Sequence, residues 1–282
     1  MTAIQIQNVT YTYPTAKKPV IQDLNLEINS GEFVGIIGGT GTGKTTLFRL
    51  MNGLVPHYFG GNLEGQITIN GLNTKNHQIG ELSAFVGMVF QEADPQLFFQ
   101  TVEDNVAFGP ENLCVPPSKI VERVDEVLNK AGINQLRYKS PTNLSEGQKQ
   151  LVALASVLAM KPKILLLDEP TSNLDSDGTE RIISFVRQLN KEGITVLLAS
   201  HNIDVLAECA DRIIVINNGK IQADGNPSHV FSNRELFQSL GISLPQVTQL
   251  AQKLADDGYD IGKEVPVTVS EAFDLIVRRL CD

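Results

Sequence analysis

With 282 residues, 42% of them apolar, the chain is too long for one small domain and suits a large α/β core with an appendage. Its net charge of −9 argues against nucleic acid as the main partner, because phosphate backbones are bound by basic faces; simple solubility accounts for the acidity. No window reaches the roughly 18–20 apolar residues of a bilayer span, and Met1 to Gln5 lacks the basic start and apolar core of a signal peptide, so the chain is expected to be soluble and not exported, with any membrane role supplied by a partner.

Ile4 to Val9 alternates apolar with polar, as a half-buried strand does, and Ile21 to Ile28 alternates similarly before Asn29-Ser30-Gly31 turns the chain. Glu32 to Ile37 holds a short apolar run that reads as a buried strand. It leads into Gly38-Gly39-Thr40-Gly41-Thr42-Gly43-Lys44-Thr45-Thr46, which fits the phosphate-loop pattern G-x-x-x-x-G-K-[ST]. Thr46 to Met51 then reads as a helix ending near Gly53. Strand, glycine loop and helix form the context that the motif requires. Glycines let successive backbone N–H groups turn inward, and those donors, with the positive end of the helix dipole, cradle phosphate oxygens. In that setting Lys44 would reach the β- and γ-phosphates and the Thr45 hydroxyl would bind Mg²⁺.

Ile67 to Gly71 reads as a short strand and its turn, and Ser118 to Lys130 as a helix, with Ile120, Val121, Val124, Val127 and Leu128 at helical spacing. Leu144-Ser145-Glu146-Gly147-Gln148 opens a helix that runs from near Glu146 to Met160. Ser145 can cap that helix, which suffices for it taken alone, and the N–H groups of the first turn can also hold a phosphate. Lys163 to Asp168 is apolar without alternation, the pattern of a central parallel strand covered on both faces. Asp168-Glu169 closes it at the end where α/β sheets place ligand groups. The aspartate can hold Mg²⁺ and the glutamate can polarise a water; alone, the pair is equally two solvated acids before Pro170.

Gly178 to Leu189 reads as a helix, and Gly193 to His201 as a second continuous strand closed by His201, a residue that in isolation suits a structural role as well. Ile213 to Ile216, closed by Asn217-Asn218-Gly219, is a third. This alternation predicts a mostly parallel sheet with crossover helices. After Gly225-Asn226-Pro227, three short amphipathic helices are predicted, at Phe231 to Leu240, Gln246 to Leu254 and Ser270 to Leu280. Residues 227–282 are therefore expected to form a helical appendage to a domain at 1–226. Cys114, Cys209 and Cys281 form no C-x-x-C pair, which fits reduced thiols in a reducing cytoplasm.

Together the motifs resemble the ATP-binding cassette (ABC) ATPases, over roughly residues 1–225 and in the family's order. Leu144–Gln148 is similar to the LSGGQ signature, Ile164–Glu169 to the Walker B strand and Ser172-Asn173-Leu174-Asp175 to the D-loop. Gln91 stands where the Q-loop glutamine belongs, His201 at the switch histidine, and Tyr13 at the aromatic that stacks on adenine. The resemblance implies an α/β P-loop (RecA-like) fold: a mostly parallel sheet core, an N-terminal antiparallel β-subdomain, an inserted helical subdomain at about 92–160 and a small helical C-terminal appendage. It implies an ATPase using ATP and Mg²⁺. The nucleotide would be held by Tyr13, Gly38, Gly39, Thr40, Gly41, Thr42, Gly43, Lys44, Thr45 and Thr46, and the metal by Thr45, Gln91 and Asp168. Glu169 would act as general base, assisted by His201, Gln91 and Lys44. Two domains would close head to tail around two ATP molecules, so that Ser145, Gly147, Gln148 and Asp175 meet the nucleotide of the facing subunit. Position 146 departs from the pattern, being Glu where the signature has Gly. A carboxylate beside a triphosphate is costly unless it points away, and backbone donation is expected to survive.

Phe90 to Phe99 and Thr101 to Pro110 are similar to the ATPase subunits of energy-coupling factor (ECF) transporters, which take up vitamins and transition-metal ions. Asn52 to His57 and the tail around Leu244 to Val247 point the same way; in related proteins that tail helps two ATPase subunits stay paired. The resemblance implies a second ATPase subunit, identical or paralogous, an integral membrane coupling subunit docking near Gln96 to Phe99, a separate substrate-binding membrane subunit, and residence at the cytoplasmic face of the membrane. Read as residues alone, Gln96 to Phe99 fit equally the core of the helical subdomain. The alternatives are the ATPase of another ABC importer or exporter, or a soluble ABC ATPase without a membrane partner.

Overall fold

A computed structural model describes residues 1–259 and 265–280; the predicted free thiol at Cys281 lies outside them. Strand β1 (Thr2–Thr12) buries Ile4, Ile6, Val9 and Tyr11 and pairs antiparallel with β2 (Ile21–Asn29). Next come β3 (Phe33–Ile37), helix α1 (Lys44–Met51) and a distorted turn, α2 (Leu54–His57). Strand β4 (Asn62–Ile69) begins earlier than its sequence pattern indicates, because only its last residues are buried. With β5 (Leu72–Asn73) it completes a four-stranded antiparallel sheet ordered β2-β1-β4-β5.

After α3 (Ile79–Ser83) and β6 (Val86–Val89), three helices pack together: α4 (Val102–Asn112), α5 (Pro117–Lys130) and α6 (Glu146–Leu158). Arg137 joins the first two, donating to Glu103 at 2.7 Å and pairing with Asp125; these carboxylates hold its guanidinium pKa above the ordinary value. The chain continues through β7 (Ile164–Asp168), α7 (Ser176–Lys191), β8 (Thr195–Ala199), α8 (Ile203–Cys209), β9 (Arg212–Asn217) and β10 (Lys220–Gly225). The second sheet has the order β10-β9-β3-β8-β7-β6, parallel throughout except for β10.

The unbroken apolar runs follow from burial on both faces of this sheet. Leu165, Leu167, Val196 and Leu198 face a core shared with α4–α8, while Ile164, Leu166, Leu197 and Ala199 face one shared with α1 and the antiparallel sheet. The result is the α/β P-loop architecture that the motifs imply.

The last segments are α9 (Pro227–Phe231), α10 (Arg234–Leu240), α11 (Gln246–Asp256) and α12 (Val269–Leu280). The single helix predicted from Phe231 to Leu240 is two. Asn233 accepts a hydrogen bond from the Leu236 N–H at 3.1 Å and caps α10, so the chain breaks between Phe231 and Arg234. Phe231 and Phe237 pack at 5.4 Å within the main core, whereas Ala251, Leu254 and Leu275 form a small cluster of their own. Among the described residues no helix is long and apolar enough to cross a membrane.

Candidate active site

Three neighbouring parallel strands, β3, β8 and β7, deliver their C-terminal ends to one place. The loop from Gly38 to Gly43 leaves β3 and wraps the start of α1. A Cβ on Gly38 would lie 2.4 Å from Ile216 O and 2.6 Å from Thr42 Oγ1, so only glycine fits. Gly43 occupies the left-handed region at φ +113° and provides no side-chain cap, which leaves the first-turn N–H groups of α1 without a side-chain acceptor. Lys44 Nζ donates to Gly38 O at 2.7 Å and to Gly39 O at 3.3 Å.

At the end of β7, Asp168 Oδ2 accepts from Thr45 Oγ1 at 2.7 Å. Register explains the rest: Asp168 lies opposite Ala199, so the residues that follow, Glu169 and His201, meet. Glu169 Oε2 accepts from the His201 N–H at 3.0 Å. Glu169 Oε1 lies 3.2 Å from His201 Nε2 and 3.7 Å from Lys44 Nζ, yet this buried oxygen accepts no hydrogen bond. Glu169 also adopts φ +53°, a strained conformation for a residue with a Cβ. A buried, strained carboxylate with one unused acceptor is placed to take a proton from water.

Tyr13 is half-buried beside α1. Its hydroxyl lies 3.2 Å from Thr46 Oγ1 and accepts from Arg49 Nη1 at 3.2 Å. The Arg49 guanidinium stacks 4.5 Å from the Phe59 ring centroid, and Phe59 meets Tyr13 edge-on. Arg49 and Phe59 carry no motif signal and go unnoticed in the sequence; only the position of Arg49, one turn after Thr45 on a helix, hints at it.

Ser145 and Gln148 form a capping box on α6: Ser145 Oγ accepts from the Gln148 N–H at 3.4 Å, and the Ser145 N–H donates to Gln148 Oε1 at 3.1 Å. Asp175 Oδ1 caps α7 by accepting from the Gly178 N–H at 2.8 Å. Ser145, Gly147, Gln148 and Asp175 line one groove of about 360 Å³, and no hydrogen bond or ion pair joins them to Lys44, Thr45 or Thr46 of the same chain. Gln91 is exposed beyond β6, and its side chain forms no hydrogen bond with Thr45 or Asp168. Gln96 instead secures this loop, accepting from the Phe90 N–H at 2.9 Å and donating to Met88 O at 3.2 Å. Phe98, Phe99 and Phe108 stack nearby with centroids 4.7–5.2 Å apart.

The donor chemistry suits Mg²⁺. Thr45 and Asp168 supply two adjacent hard oxygens, and among the described residues no three His, Cys, Asp or Glu side chains are grouped to hold a metal. One or two protein oxygens completed by substrate phosphates is how Mg²⁺ is usually held.

The ABC transporter family model matches residues 21–172, more than half of the chain. A putative ABC transporter ATP-binding protein of Pyrococcus abyssi is 45% identical over 281 residues, covering 99% of this chain and 100% of its own length. The chain belongs to the ABC transporter ATP-binding family. This ABC ATPase is also 40% identical over 280 residues to the energy-coupling factor transporter ATP-binding protein EcfA1 of Caldanaerobacter subterraneus, covering 98% and 99% of the two chains. It spans only 42% of the length of a Methanosarcina acetivorans relative to which it is 43% identical, a putative ABC transporter ATP-binding protein aligned over 95% of this chain.

Among solved structures, the ABC ATPase superposes on cbiO1 of Clostridium perfringens, part of the ABC transporter complex cbiONQ, with TM-score 0.75 and 35% identity over 89% of this chain and 99% of the other. A dimeric post-hydrolysis state of the ATP-binding cassette MJ0796, bound to ADP and phosphate, aligns with TM-score 0.69 and 30% identity over 79% and 98%. The ABC ATPase binds and hydrolyses ATP as the ATPase subunit of a transporter.

Proposed function

We propose that this ABC ATPase is the energy-supplying subunit of an ECF-type uptake transporter for a vitamin or a transition-metal ion, acting at the cytoplasmic face of the membrane. The observation that carries the catalytic part is the buried Glu169 Oε1, which lies between His201 Nε2 and Lys44 Nζ and accepts no hydrogen bond. Glu169 would take the proton of the attacking water, His201 would hold that water against the γ-phosphate, and Lys44 would release its loop carbonyls to bind the β- and γ-phosphates. The glycines from Gly38 to Gly43, with Thr42, Thr45 and Thr46, would cradle phosphate oxygens, and adenine would rest on Tyr13. Mg²⁺, held by Thr45 and Asp168 and monitored by Gln91, would neutralise charge on the phosphates.

The separation of the Ser145 groove from Lys44 supports a site completed in trans. Two ATPase subunits, identical or paralogous, would pair head to tail, with Ser145, Gly147, Gln148 and Asp175 of one facing the nucleotide of the other. The capping box uses a lone pair of Ser145 Oγ, which leaves its O–H free to donate to a phosphate. We further propose a nucleotide-binding domain at 1–226, with its helical subdomain at about 92–160, and an appendage at 227–282 that assists pairing.

The ECF reading rests on the relatives and on Phe98. That side chain is 62% exposed at the rim of the aromatic group, which supports docking of a helix from the membrane coupling subunit near Gln96 to Phe99. Affinity purification through detergent tests it. The ATPase should retain one integral membrane protein lacking a cassette and a second, small substrate-binding membrane protein. Recovery with an importer or exporter of another type, or with no membrane protein, overturns it.

A further inference from the structure

The glutamate that interrupts the signature has a counter-ion. Lys149 Nζ lies 3.0 Å from Glu146 Oε1 and 2.8 Å from Asp94 Oδ1. The Lys149 side chain is only 13% exposed, although both carboxylates face solvent. Glu146 is the first residue of α6, between Ser145 and Gly147. Asp94 opens the short helical turn Asp94–Gln96, which leads directly into Phe98 and Phe99. One cation therefore joins the signature turn to the proposed docking segment.

A lysine in the first turn of a helix opposes the helix dipole. The two carboxylates outweigh this and hold its ammonium pKa above the ordinary value, Asp94 contributing most. As a source of stability the arrangement is weak, because ion pairs with exposed partners are worth little. Its consequence lies in local charge. Without Lys149, the Glu146 carboxylate would stand free beside the donors of Ser145 and Gly147, where it would repel a triphosphate. With Lys149, the carboxylate is drawn back along α6 and neutralised.

We propose that Lys149 is a positioning residue of the ATPase site: it holds the Glu146 carboxylate away from the nucleotide of the facing subunit, and through Asp94 it makes that neutralisation depend on the docking segment. Asp94 and Glu146 compete for one ammonium. A displacement of Asp94 when a membrane subunit takes hold of Phe98 gives Lys149 wholly to Glu146 and favours closure on ATP. This rests on the head-to-tail reading above.

The test measures ATP-driven dimerisation of the full chain in a Glu169→Gln background, by analytical ultracentrifugation across an ATP titration. Lys149→Met should raise the ATP concentration for half-maximal dimer on the order of tenfold, the scale of one freed charge near a phosphate. Adding Glu146→Gly to Lys149→Met should restore the parent value to within about twofold. That rescue separates charge from structure, since a packing defect at Lys149 would persist without the glutamate. Asp94→Asn should lower the ATP requirement. If Lys149→Met loses its circular dichroism, Lys149→Gln serves in its place. A Lys149 variant that matches the parent, or one that Glu146→Gly does not rescue, overturns the proposal. An Asp94→Asn variant that requires as much ATP as the parent, or more, overturns the link to the docking segment. Absence of any ATP-driven dimer in the Glu169→Gln parent overturns the trans-site reading itself, and the proposal with it.

Discussion

His201 addresses both oxygens of one buried carboxylate: its backbone N–H donates to Glu169 Oε2 at 3.0 Å, and its Nε2 lies 3.2 Å from Glu169 Oε1. The imidazole is itself 57% exposed, so the pair presents a solvent-facing edge backed by a fixed acceptor. Glu169→Gln keeps the shape and the backbone contact but removes the basic oxygen. We expect kcat to fall by about 10²–10⁴, the usual contribution of a general base, with ATP affinity preserved. Steady-state hydrolysis and equilibrium nucleotide binding, measured on the same preparation, decide it. A variant that turns over like the parent removes Glu169 as the base.

Ser145 caps α6, and the phosphate contact proposed for it is a second task that substitution can separate. As a helix cap it is worth about 1 kcal/mol against alanine but only a few tenths against glycine. Ser145→Gly should therefore leave the urea midpoint nearly unchanged while turnover falls about tenfold or more from the lost hydroxyl donor. Ser145→Ala should lose both. Equal turnover in Ser145→Gly and the parent would leave Ser145 a cap and nothing else.

The residues that show themselves in sequence are those whose neighbours in the chain define their task. The glycines between Gly38 and Gly43 and the acids after the β7 run are of this kind, because strand, loop and helix follow one another directly. Strand β7 stands out since Ile164 and Leu166 face one core and Leu165 and Leu167 the other. Strand β6 is only four residues long, and β10 is a largely exposed edge, so neither leaves a clear pattern. Helix α4 is masked by Gly109 and Pro110 in its last turn. Within the site, Arg49 reaches Tyr13 and Lys149 reaches Asp94 through packing between distant segments, which no local pattern encodes. The strained φ of Glu169 is likewise set by the junction of β7 with β8 and cannot be read from Asp168-Glu169-Pro170.

Gly38 and Gly39 should differ sharply under the same change. A Cβ on Gly38 meets the backbone oxygen of Ile216 in β9 at 2.4 Å, and β9 cannot retreat without disturbing its pairing with β3 and β10. A Cβ on Gly39 finds its nearest neighbour at 3.7 Å, an ordinary contact. Gly38→Ala should cost about 1–3 kcal/mol by urea denaturation, and Gly39→Ala less than about 0.5. The reverse order would mean that the loop is not packed against β9 as described.

Two described thiols should differ in reactivity. Burial pushes the Cys209 thiol up to about 12, while Cys114 is exposed. A raised pKa keeps the thiol neutral, and the thiolate is the form that reacts. In a Cys281→Ser variant, Ellman's reagent should titrate one thiol of the native protein promptly and the second only after unfolding. Two equally fast thiols would contradict the burial of α8.

Phe98 offers the clearest separation of the proposed docking from folding. Its ring packs 4.7 Å from Phe99 and 5.0 Å from Phe108 but remains 62% exposed, so removing it gives up little burial. Phe99 is more enclosed and its replacement would confound the two effects. Phe98→Asp should shift stability by less than about 1 kcal/mol, and ATP binding by the isolated chain should stay within about twofold. A carboxylate at the centre of an apolar contact is costly to desolvate, so membrane-bound recovery should drop by at least about tenfold. Comparing the ATPase content of washed membranes from cells expressing parent or variant, alongside urea midpoints of the purified chains, reads both quantities. Loss of folding together with membrane association would make Phe98 part of the helical core, and unchanged membrane association would move the docking face elsewhere.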